Sequence, residues 1–252
     1  MKLNDTRYLK SVKHPYSVKN VLKSGGNNKK LGRKVLKGKW KGAYIYSLTL
    51  RERFTCPTSC HHWDDCYGNN MPFAHRFQHG PDLEDKLTEE IAALCKKHDK
   101  VAIRLHVLGD FMSLSYVRFW DALMCVHPNL HVWGYTARTD SIGREVMALN
   151  LRYPERWAVR ISSNQESTDP MAIFAAEESF EGKSFDCPEQ TGKAASCGDC
   201  GACWSLLLPC AFFLTDFRGW SLPFEAGPPG ATDLSSYIPR PSVRNFHARD
   251  PR

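Results

Sequence analysis

The sequence predicts an α/β fold: a partial (β/α) barrel of parallel strands, or an open α/β sheet, with a cysteine-rich C-terminal module. From residue 43 to residue 163, segments with the two-residue periodicity of strands alternate with segments of helical periodicity. The connections are short, and short crossovers of this kind join parallel strands in a right-handed sense. The chain has 252 residues, of which 42% are hydrophobic, so it can bury a core of this size.

Four strands and three helices make up the predicted alternation. The strands are rich in aromatic and β-branched residues, and they cover residues 43–50, 101–108, 130–136 and 156–163. The helices carry apolar residues at helical spacing, and they cover residues 82–98, 113–126 and 141–151. The first helix also has acids near its start and lysines near its end, as the helix dipole prefers.

Polar residues follow these strands at their carboxyl ends, where parallel α/β folds form their sites. We expect them to converge with a cysteine-rich loop that follows the first strand. The second strand is followed by a candidate cofactor-binding pair, Gly109 and Asp110. The third and fourth strands are followed by candidate substrate-binding residues: Arg138, Asp140, Ser162 and Asn164.

Two further substrate-binding candidates, Arg104 and His106, lie within the second strand. They are two residues apart, so strand geometry predicts that their side chains share one face and point into the barrel. Arg160 and Ser162 have the same spacing in the fourth strand. The alternative is that these polar residues cover an exposed edge of the sheet.

The loop after the first strand holds three cysteines, Cys56, Cys60 and Cys66, with the spacing C-x3-C-x5-C. Thiolate-rich sites suit zinc and iron-sulfur clusters, and three ligands leave one coordination position open. His61 and His62 are candidates for a fourth ligand; the alternatives are that they support the ligands without binding the metal, or that they are ordinary loop residues. A structural zinc, unrelated buried thiols, and a cysteine nucleophile with a histidine base are the alternatives.

The second cysteine cluster has the spacing C-x9-C-x2-C-x2-C: Cys187, Cys197, Cys200 and Cys203. Four thiolates predict a closed, structural site for either zinc or a [4Fe-4S] cluster. Cys210 could replace one of the four or complete the first site. The remaining Cys95 and Cys125 fall on apolar helix faces, which predicts core thiols.

Residues 1–42 form a basic N-terminal arm with 13 Lys and Arg and a single acid, which gives the arm a charge of +12. The whole chain has a net charge of +7, so residues 43–252 carry −5. Such an arm favours RNA or DNA as a partner, because neutralised phosphates release counterions. Trp40, Tyr44 and Tyr46 could add base stacking. A solvated tail is the alternative.

The sequence predicts three segments: the basic arm at 1–42, an α/β core at 43–184, and the cysteine-rich module at 185–252, which is expected to pack on the core.

Two classes of protein are disfavoured by the sequence. No apolar run reaches the roughly 20 residues that a membrane span needs, and the lysine-rich N-terminus lacks the apolar segment of a signal peptide. We therefore expect a cytoplasmic protein that does not contact a membrane. Ten cysteines, mostly in two clusters of a long chain, are typical of metal binding and not of a disulfide scaffold.

Two stretches of the core carry a family resemblance: "CPTSCHHWDDCY", with an aromatic after its third cysteine, and "LHVLGDFMSLSYVRFW", leading from strand to helix. Residues 43–215 resemble radical SAM enzymes and, more closely, phage-encoded proteins built on that plan. The resemblance implies a [4Fe-4S] cluster on Cys56, Cys60 and Cys66. It also implies that Gly109 and Asp110 stand where radical SAM enzymes hold the amino group of S-adenosylmethionine. This chain departs from the family in two features. Its cysteine spacing is x3, x5, whereas the family usually has x3, x2. Its "LGDF" has one glycine before an aspartate, whereas the family commonly has two glycines before a glutamate.

Two functions follow from this sequence. The first is an enzyme whose open iron would bind S-adenosylmethionine and start radical chemistry on a substrate across the strand ends, with a nucleic acid as one substrate class. The second is a non-catalytic iron-sulfur or zinc protein that binds nucleic acid or another partner. The polar strand ends favour the first function, and the altered cysteine spacing and single glycine favour the second.

Overall fold

The computed structural model describes residues 4–162, 188–189 and 192–205, all of which fall within the unit Met1–Leu208. Asn164, Cys187 and Cys210, three of the residues singled out above, lie outside the described residues. No helix in the described ranges is long and apolar enough to cross a membrane.

Seven strands and five helices occur in this described part of the chain. The strands are β1 (Val12–Lys13), β2 (Lys23–Ser24), β3 (Tyr44–Ser47), β4 (Arg76–Phe77), β5 (Val101–Leu105), β6 (Leu130–Thr136) and β7 (Trp157–Ile161). The helices are α1 (Pro81–Lys97), α2 (Leu114–Val126), α3 (Ser141–Arg152), α4 (Cys197–Cys200) and α5 (Ala202–Ser205). Short 3-10 turns lie at Leu9–Ser11, Pro15–Ser17, Gly25–Asn27 and Tyr67–Asn70.

The main sheet has the order β2-β3-β5-β6-β7. Its last four strands are parallel, and β2 pairs antiparallel with β3 at the edge. All four strands and all three helices predicted between residues 43 and 163 are confirmed, and only their ends differ. The fold is therefore a mixed α/β fold with parallel strands. The described residues form an open sheet, with β1 and β4 as a separate parallel pair.

Helices α1, α2 and α3 cover one face of this sheet. Ile103, Val132 and Val159, one from each of three neighbouring strands, join apolar residues of the helices in a single buried cluster. Burial of this kind contributes about 25 cal/mol per Å² of apolar surface. Side chains cap the starts of α2 and α3: Ser113 accepts a hydrogen bond from the Tyr116 N–H, and Asp140 accepts from the Ile142 and Gly143 N–H groups.

The opposite face of the sheet is covered by the N-terminal segment and by α4 and α5. Side chains that alternate with the first set, such as Ala102, Trp133 and Ala158, lie in a second buried cluster with Trp40 and Trp204. Two-residue alternation thus gives each strand two apolar faces, as expected for a parallel sheet buried on both sides.

The N-terminal segment is folded, and its residues 21–40 pack against the sheet. Five of its apolar residues, Val21, Leu22, Leu31, Val35 and Trp40, are buried, whereas Leu9 and Leu36 are exposed. The Trp40 side chain is 1% exposed and donates a hydrogen bond to the Glu155 carbonyl oxygen at 2.7 Å, so it is not available to stack on bases. Tyr44 stacks on His98 at a ring-centroid distance of 4.0 Å, and Tyr46 contacts the same ring.

Candidate functional site

The loop with Cys56, Cys60 and Cys66 leaves the sheet at the carboxyl end of β3, as the sequence predicts. Hydrogen bonding to the segment that follows β5 continues past the end of β3, because the Leu50 N–H donates to the Leu108 carbonyl oxygen at 2.9 Å. The loop therefore starts beside the segment that carries Gly109 and Asp110.

A buried ion pair holds the far side of this cysteine loop. Arg76 and Glu52 are 0% and 1% exposed, and Arg76 Nε donates to Glu52 Oε2 at 2.7 Å. The same guanidinium donates to the carbonyl oxygens of Gly68, Met71 and Ala74 at 2.8 to 3.0 Å. Arg76 thus fixes the chain directly after Cys66.

A second buried arginine, Arg53, fixes the middle of the loop. Its side chain donates to the Trp63 carbonyl oxygen at 3.1 Å and to Asn69 Oδ1 at 2.9 Å. It also donates to the Asp5 carbonyl oxygen at 3.3 Å, and Asp5 in turn forms an ion pair with Arg51. The predicted arm is therefore part of the support of the cysteine loop.

The three thiols lie within electrostatic reach of one another and of Asp110. Burial raises the pKa of Cys56 to about 12, and the charges of Asp110, Cys60 and Cys66 act in the same direction. Burial also raises the pKa of Cys60. As they stand, the described residues hold no group of three or more His, Cys, Asp and Glu side chains that could hold a metal ion. Metal binding at this loop therefore requires the thiols to turn toward a common point and to lose their protons.

Gly109 and Asp110 pack against the start of the cysteine loop. Gly109 has a φ of +86°, and a Cβ there would come within 2.6 Å of both Leu50 Cβ and Thr55 Oγ1, so only glycine fits. Asp110 is 4% exposed and accepts hydrogen bonds from the N–H groups of Phe111 and Ala137 and from the Thr136 hydroxyl at 2.7 to 2.8 Å. Burial raises its pKa to about 6, although these hydrogen bonds oppose the shift.

Arg138 and Asp140 hold the loop after β6. Arg138 Nε donates to the Phe111 carbonyl oxygen at 2.7 Å, and its Nη1 donates to Asp140 Oδ2 at 2.9 Å. Asp140 also caps α3 by accepting hydrogen bonds from two N–H groups of its first turn. Ser162 joins the same edge, where its N–H donates to the Thr136 carbonyl oxygen at 2.7 Å.

Arg104 and His106 do not share a face, contrary to the sequence-based prediction. His106 Nε2 lies 3.1 Å from Tyr116 Oη on the helix-covered side. Arg104 lies over the Tyr135 ring on the opposite side, with its Cζ 5.8 Å from the ring centroid. The reason is that β5 ends at Leu105, so strand alternation does not extend to His106.

The C-terminal cysteines dock on the N-terminal segment. The Cys197 N–H donates to the Lys30 carbonyl oxygen at 2.7 Å, and the Leu36 N–H donates to the Gly198 carbonyl oxygen at 2.9 Å. Burial raises the pKa of Cys197 to about 12, and the Cys203 charge acts in the same direction. Gly201, in the left-handed region, separates α4 from α5 and lets Cys203 follow Cys197 and Cys200 on a new turn.

Cys95 and Cys125 differ in burial, although the sequence predicts a core thiol for both. Cys95 packs against the helix-side cluster, which confirms a core thiol, but Cys125 is exposed. The buried face of α2 includes Leu123 and Met124, and Cys125 lies one position, about 100°, beyond it. His61 and His62 are exposed, and His62 Nδ1 lies 3.2 Å from Asp65 Oδ2.

Sequence reasoning missed the residues that support the loop, above all Arg53, Glu52 and Arg76. Charged residues beside a loop normally indicate solvent exposure, so no pattern distinguished these three. Tyr135 was also missed, although a pattern was available: it is two residues from Trp133 in a predicted strand, hence on the same face.

The family model of GP88, Gene product 88, matches residues 20–206. This range includes β2 to β7, both cysteine clusters and the Gly109–Asp110 pair. No curated protein and no solved structure matches the chain significantly. Because the match covers well over half of the sequence, the chain belongs to the Gene product 88 family.

Proposed function

We propose that this protein is an iron-sulfur protein with a radical SAM-like core, in which Cys56, Cys60 and Cys66 bind a [4Fe-4S] cluster. The observation that carries the proposal is a three-thiol loop held by two buried arginines at the carboxyl end of β3, beside Gly109 and Asp110. A partial (β/α) barrel is proposed for the core, because β3, β5, β6 and β7 are sequential neighbours with their helices on one face.

The donor set of the loop fits such a cluster. Three cysteine sulfurs are the usual ligands of three irons, and the fourth iron then stays open. When bound, the cluster would supply an open iron for S-adenosylmethionine and one-electron chemistry. A coordinating thiol loses its proton outright, which would overcome the raised thiol pKa values. Arg53 and Arg76 would hold the loop, and Arg104, Arg138 and Asp140 would lie near the substrate at the strand ends.

Anaerobic purification followed by quantification of iron, sulfide and zinc tests this proposal. We expect brown protein with the broad absorption of an iron-sulfur cluster. Cys56→Ala, Cys60→Ala and Cys66→Ala should each lose iron. Cys125→Ala is the matched control, because this thiol is exposed on α2 and belongs to neither cluster. Colourless protein that holds zinc alone would overturn the proposal.

A second candidate is a non-catalytic iron-sulfur or zinc protein that binds a partner. The observation that favours it is the bonding of Asp110, whose two oxygens already accept three hydrogen bonds within the protein. A carboxylate engaged in this way has less capacity left for the amino group of S-adenosylmethionine. Equilibrium dialysis of the cluster-loaded protein with S-adenosylmethionine separates the two candidates: saturable binding supports the enzyme, and its absence supports the second candidate.

We further propose that the C-terminal cysteines form a closed, structural site with zinc or a second [4Fe-4S] cluster. Its support is the spacing of Cys197, Cys200 and Cys203, on short helical turns that dock against residues 30–36; Cys187 would be the fourth ligand. Binding energy at such a site is folding energy. Replacing all four cysteines with serine should therefore lower soluble yield and melting temperature, and unchanged values would contradict the proposal.

RNA or DNA is the proposed partner of the basic N-terminal segment. Among its cations from residue 4 onward, nine are exposed: Arg7, Lys10, Lys19, Lys23, Lys29, Arg33, Lys34, Lys37 and Lys41. A folded surface of this charge would bind phosphates with little sequence preference.

A further inference from the structure

Two arginines, Arg104 and Arg160, lie on the sheet face opposite α1–α3. Each has a buried nitrogen atom that makes no hydrogen bond to the described residues. Arg160 is 5% exposed; its Nε donates to the Cys203 carbonyl oxygen at 3.1 Å, but its buried Nη2 has no hydrogen-bond partner. Nε of Arg104 is also buried without a partner. Buried donors are nearly always hydrogen-bonded, because an unpaired one carries its full desolvation penalty.

The two side chains flank Tyr135. The register of β6 and β7 places Tyr135 opposite Arg160, and Arg104 lies one row away, opposite Trp133. Arg104 contacts the Tyr135 ring from one side, and Tyr135 Oη lies 3.0 Å from Cys203 Sγ. No carboxylate of the described residues forms a hydrogen bond or an ion pair with either guanidinium group.

We propose that Arg104 and Arg160 form a binding site for one oxyanion group, a carboxylate or a phosphate, of a small molecule that lies over the carboxyl ends of β5, β6 and β7. Guanidinium groups bind such anions through paired, charge-assisted hydrogen bonds. The buried setting strengthens the attraction, and Tyr135 supplies a flat wall beside the anion. Ligands of parallel α/β sheets bind at this end of the strands. The inference does not depend on a cluster at Cys56, Cys60 and Cys66.

Titration of the full chain with inorganic phosphate and with malonate, at constant ionic strength, tests the site. Trp133 and Trp204 pack in contact with each other in the cluster on this face, so their fluorescence reports binding. We expect saturable binding, and we expect Arg160→Gln and Arg104→Gln each to weaken it about tenfold or more. Arg118→Gln is the matched control: this arginine is exposed on α2, on the helix side, and its loss should change nothing. Tighter binding of phosphate assigns a phosphorylated ligand, and tighter binding of malonate assigns a carboxylate.

Three results would overturn the proposal. The first is that neither anion binds the folded wild-type protein. The second is that both variants bind the anions as the wild type does. The third is that the variants keep their anion affinity but lose bound zinc or iron, which would assign the arginines to the thiolates of Cys197 and Cys203. If Arg160→Gln does not fold, the half-buried Arg104 carries the test, with circular dichroism as the check on folding.

Discussion

At the scale of single residues, buried charge fixes the cysteine loop where apolar packing cannot reach it. Arg76 makes hydrogen bonds to Glu52, to Ser11 and to three carbonyl oxygens, so each of its three guanidinium nitrogens donates inside the protein. Glu52 also accepts a hydrogen bond from the Thr6 hydroxyl at 2.7 Å. This network ties the N-terminus, the loop and β4 together.

Arg76→Met should lower the free energy of unfolding by about 3 kcal/mol or more, because it leaves the Glu52 carboxylate buried without its counter-charge. Urea denaturation measures the loss. The double variant Arg76→Met with Glu52→Gln should recover part of it, since the unpaired charge is then removed. A single variant as stable as the wild type would show that Arg76 does not hold the loop.

His131 should make stability depend on pH. Burial lowers its pKa from 6.5 to about 4, against opposing hydrogen bonds from backbone groups. The unfolded chain takes up this proton at a higher pH than the native chain, so stability is complete above pH 6.5 and is lost as pH falls toward 4. The loss corresponds to about 3 kcal/mol.

His131→Phe keeps a ring against Trp40, which lies 5.1 Å from the histidine ring, but it cannot be protonated. Its free energy of unfolding should therefore fall less than that of the wild type between pH 6.5 and pH 4. Urea titrations at several pH values measure both curves. His106, also buried and neutral, contributes equally to the two proteins, so the difference isolates His131. Parallel curves would contradict the prediction.

At the scale of elements, the sequence predicts the α/β alternation because its pattern is regular. The apolar residues of α1, Leu83, Leu87 and Ile91, repeat at four-residue intervals on one buried face. The N-terminal segment offers no such regular period: basic residues, glycines and the exposed Leu36 lie between Leu31, Val35 and Trp40, although these three are buried. Its position also depends on hydrogen bonds between residues far apart in sequence, such as Arg53 with Asp5, which no local pattern encodes.

The sequence predicts where the candidate site lies, but not which residues hold the cysteine loop in place. The carboxyl-end rule places Cys56 and Asp110 at one edge of the sheet, and both are found there. The orientation of His106 was mistaken because alternation holds only within a strand, and the end of β5 had to be known. Element ends are set by tertiary contacts, which a single sequence does not display.

Trp204 is the contact that joins α5 to the rest of the fold. Its ring stacks on Trp40 at 5.2 Å and meets Trp133 edge-on at 5.1 Å. Trp204→Ala should cost about 3 to 5 kcal/mol of stability, as expected for an aromatic core residue, and Trp204→Phe should cost less. Thermal unfolding measures the change, and Leu36→Ala, at an exposed leucine of the neighbouring segment, is the control. Equal melting temperatures for Trp204→Ala and this control would refute the prediction.

At the scale of the whole molecule, charge and folding are carried by the same N-terminal segment. Residues 21–42 supply buried side chains to the apolar clusters on both faces of the sheet, while most of their lysines are exposed to solvent. Deleting the segment would therefore remove part of the core together with the charge, and lost binding would have two explanations. Substitution of exposed cations separates the two causes, because surface changes usually alter stability by only about 0.5 kcal/mol.

A variant with glutamine at Lys29, Arg33, Lys34, Lys37 and Lys41, all exposed, should fold normally and lose affinity for single-stranded RNA and DNA. If the wild type contacts five phosphates, the logarithm of its affinity should fall with the logarithm of salt with a slope of about −3.5 to −4.5, a loss of roughly a hundredfold or more between 50 and 200 mM salt. The five-site variant should show a much flatter dependence, since each lost phosphate contact lowers the slope by about one.

Fluorescence anisotropy with labelled oligonucleotides of different sequences measures the affinity and its salt dependence, and little difference between sequences is expected. The control replaces Lys96 and Lys97, exposed at the end of α1, with glutamine and should leave the slope unchanged. Equal slopes for the five-site variant and the wild type, or no binding by the wild type at 50 mM salt, would mean that the cations of this folded segment serve another purpose than holding nucleic acid.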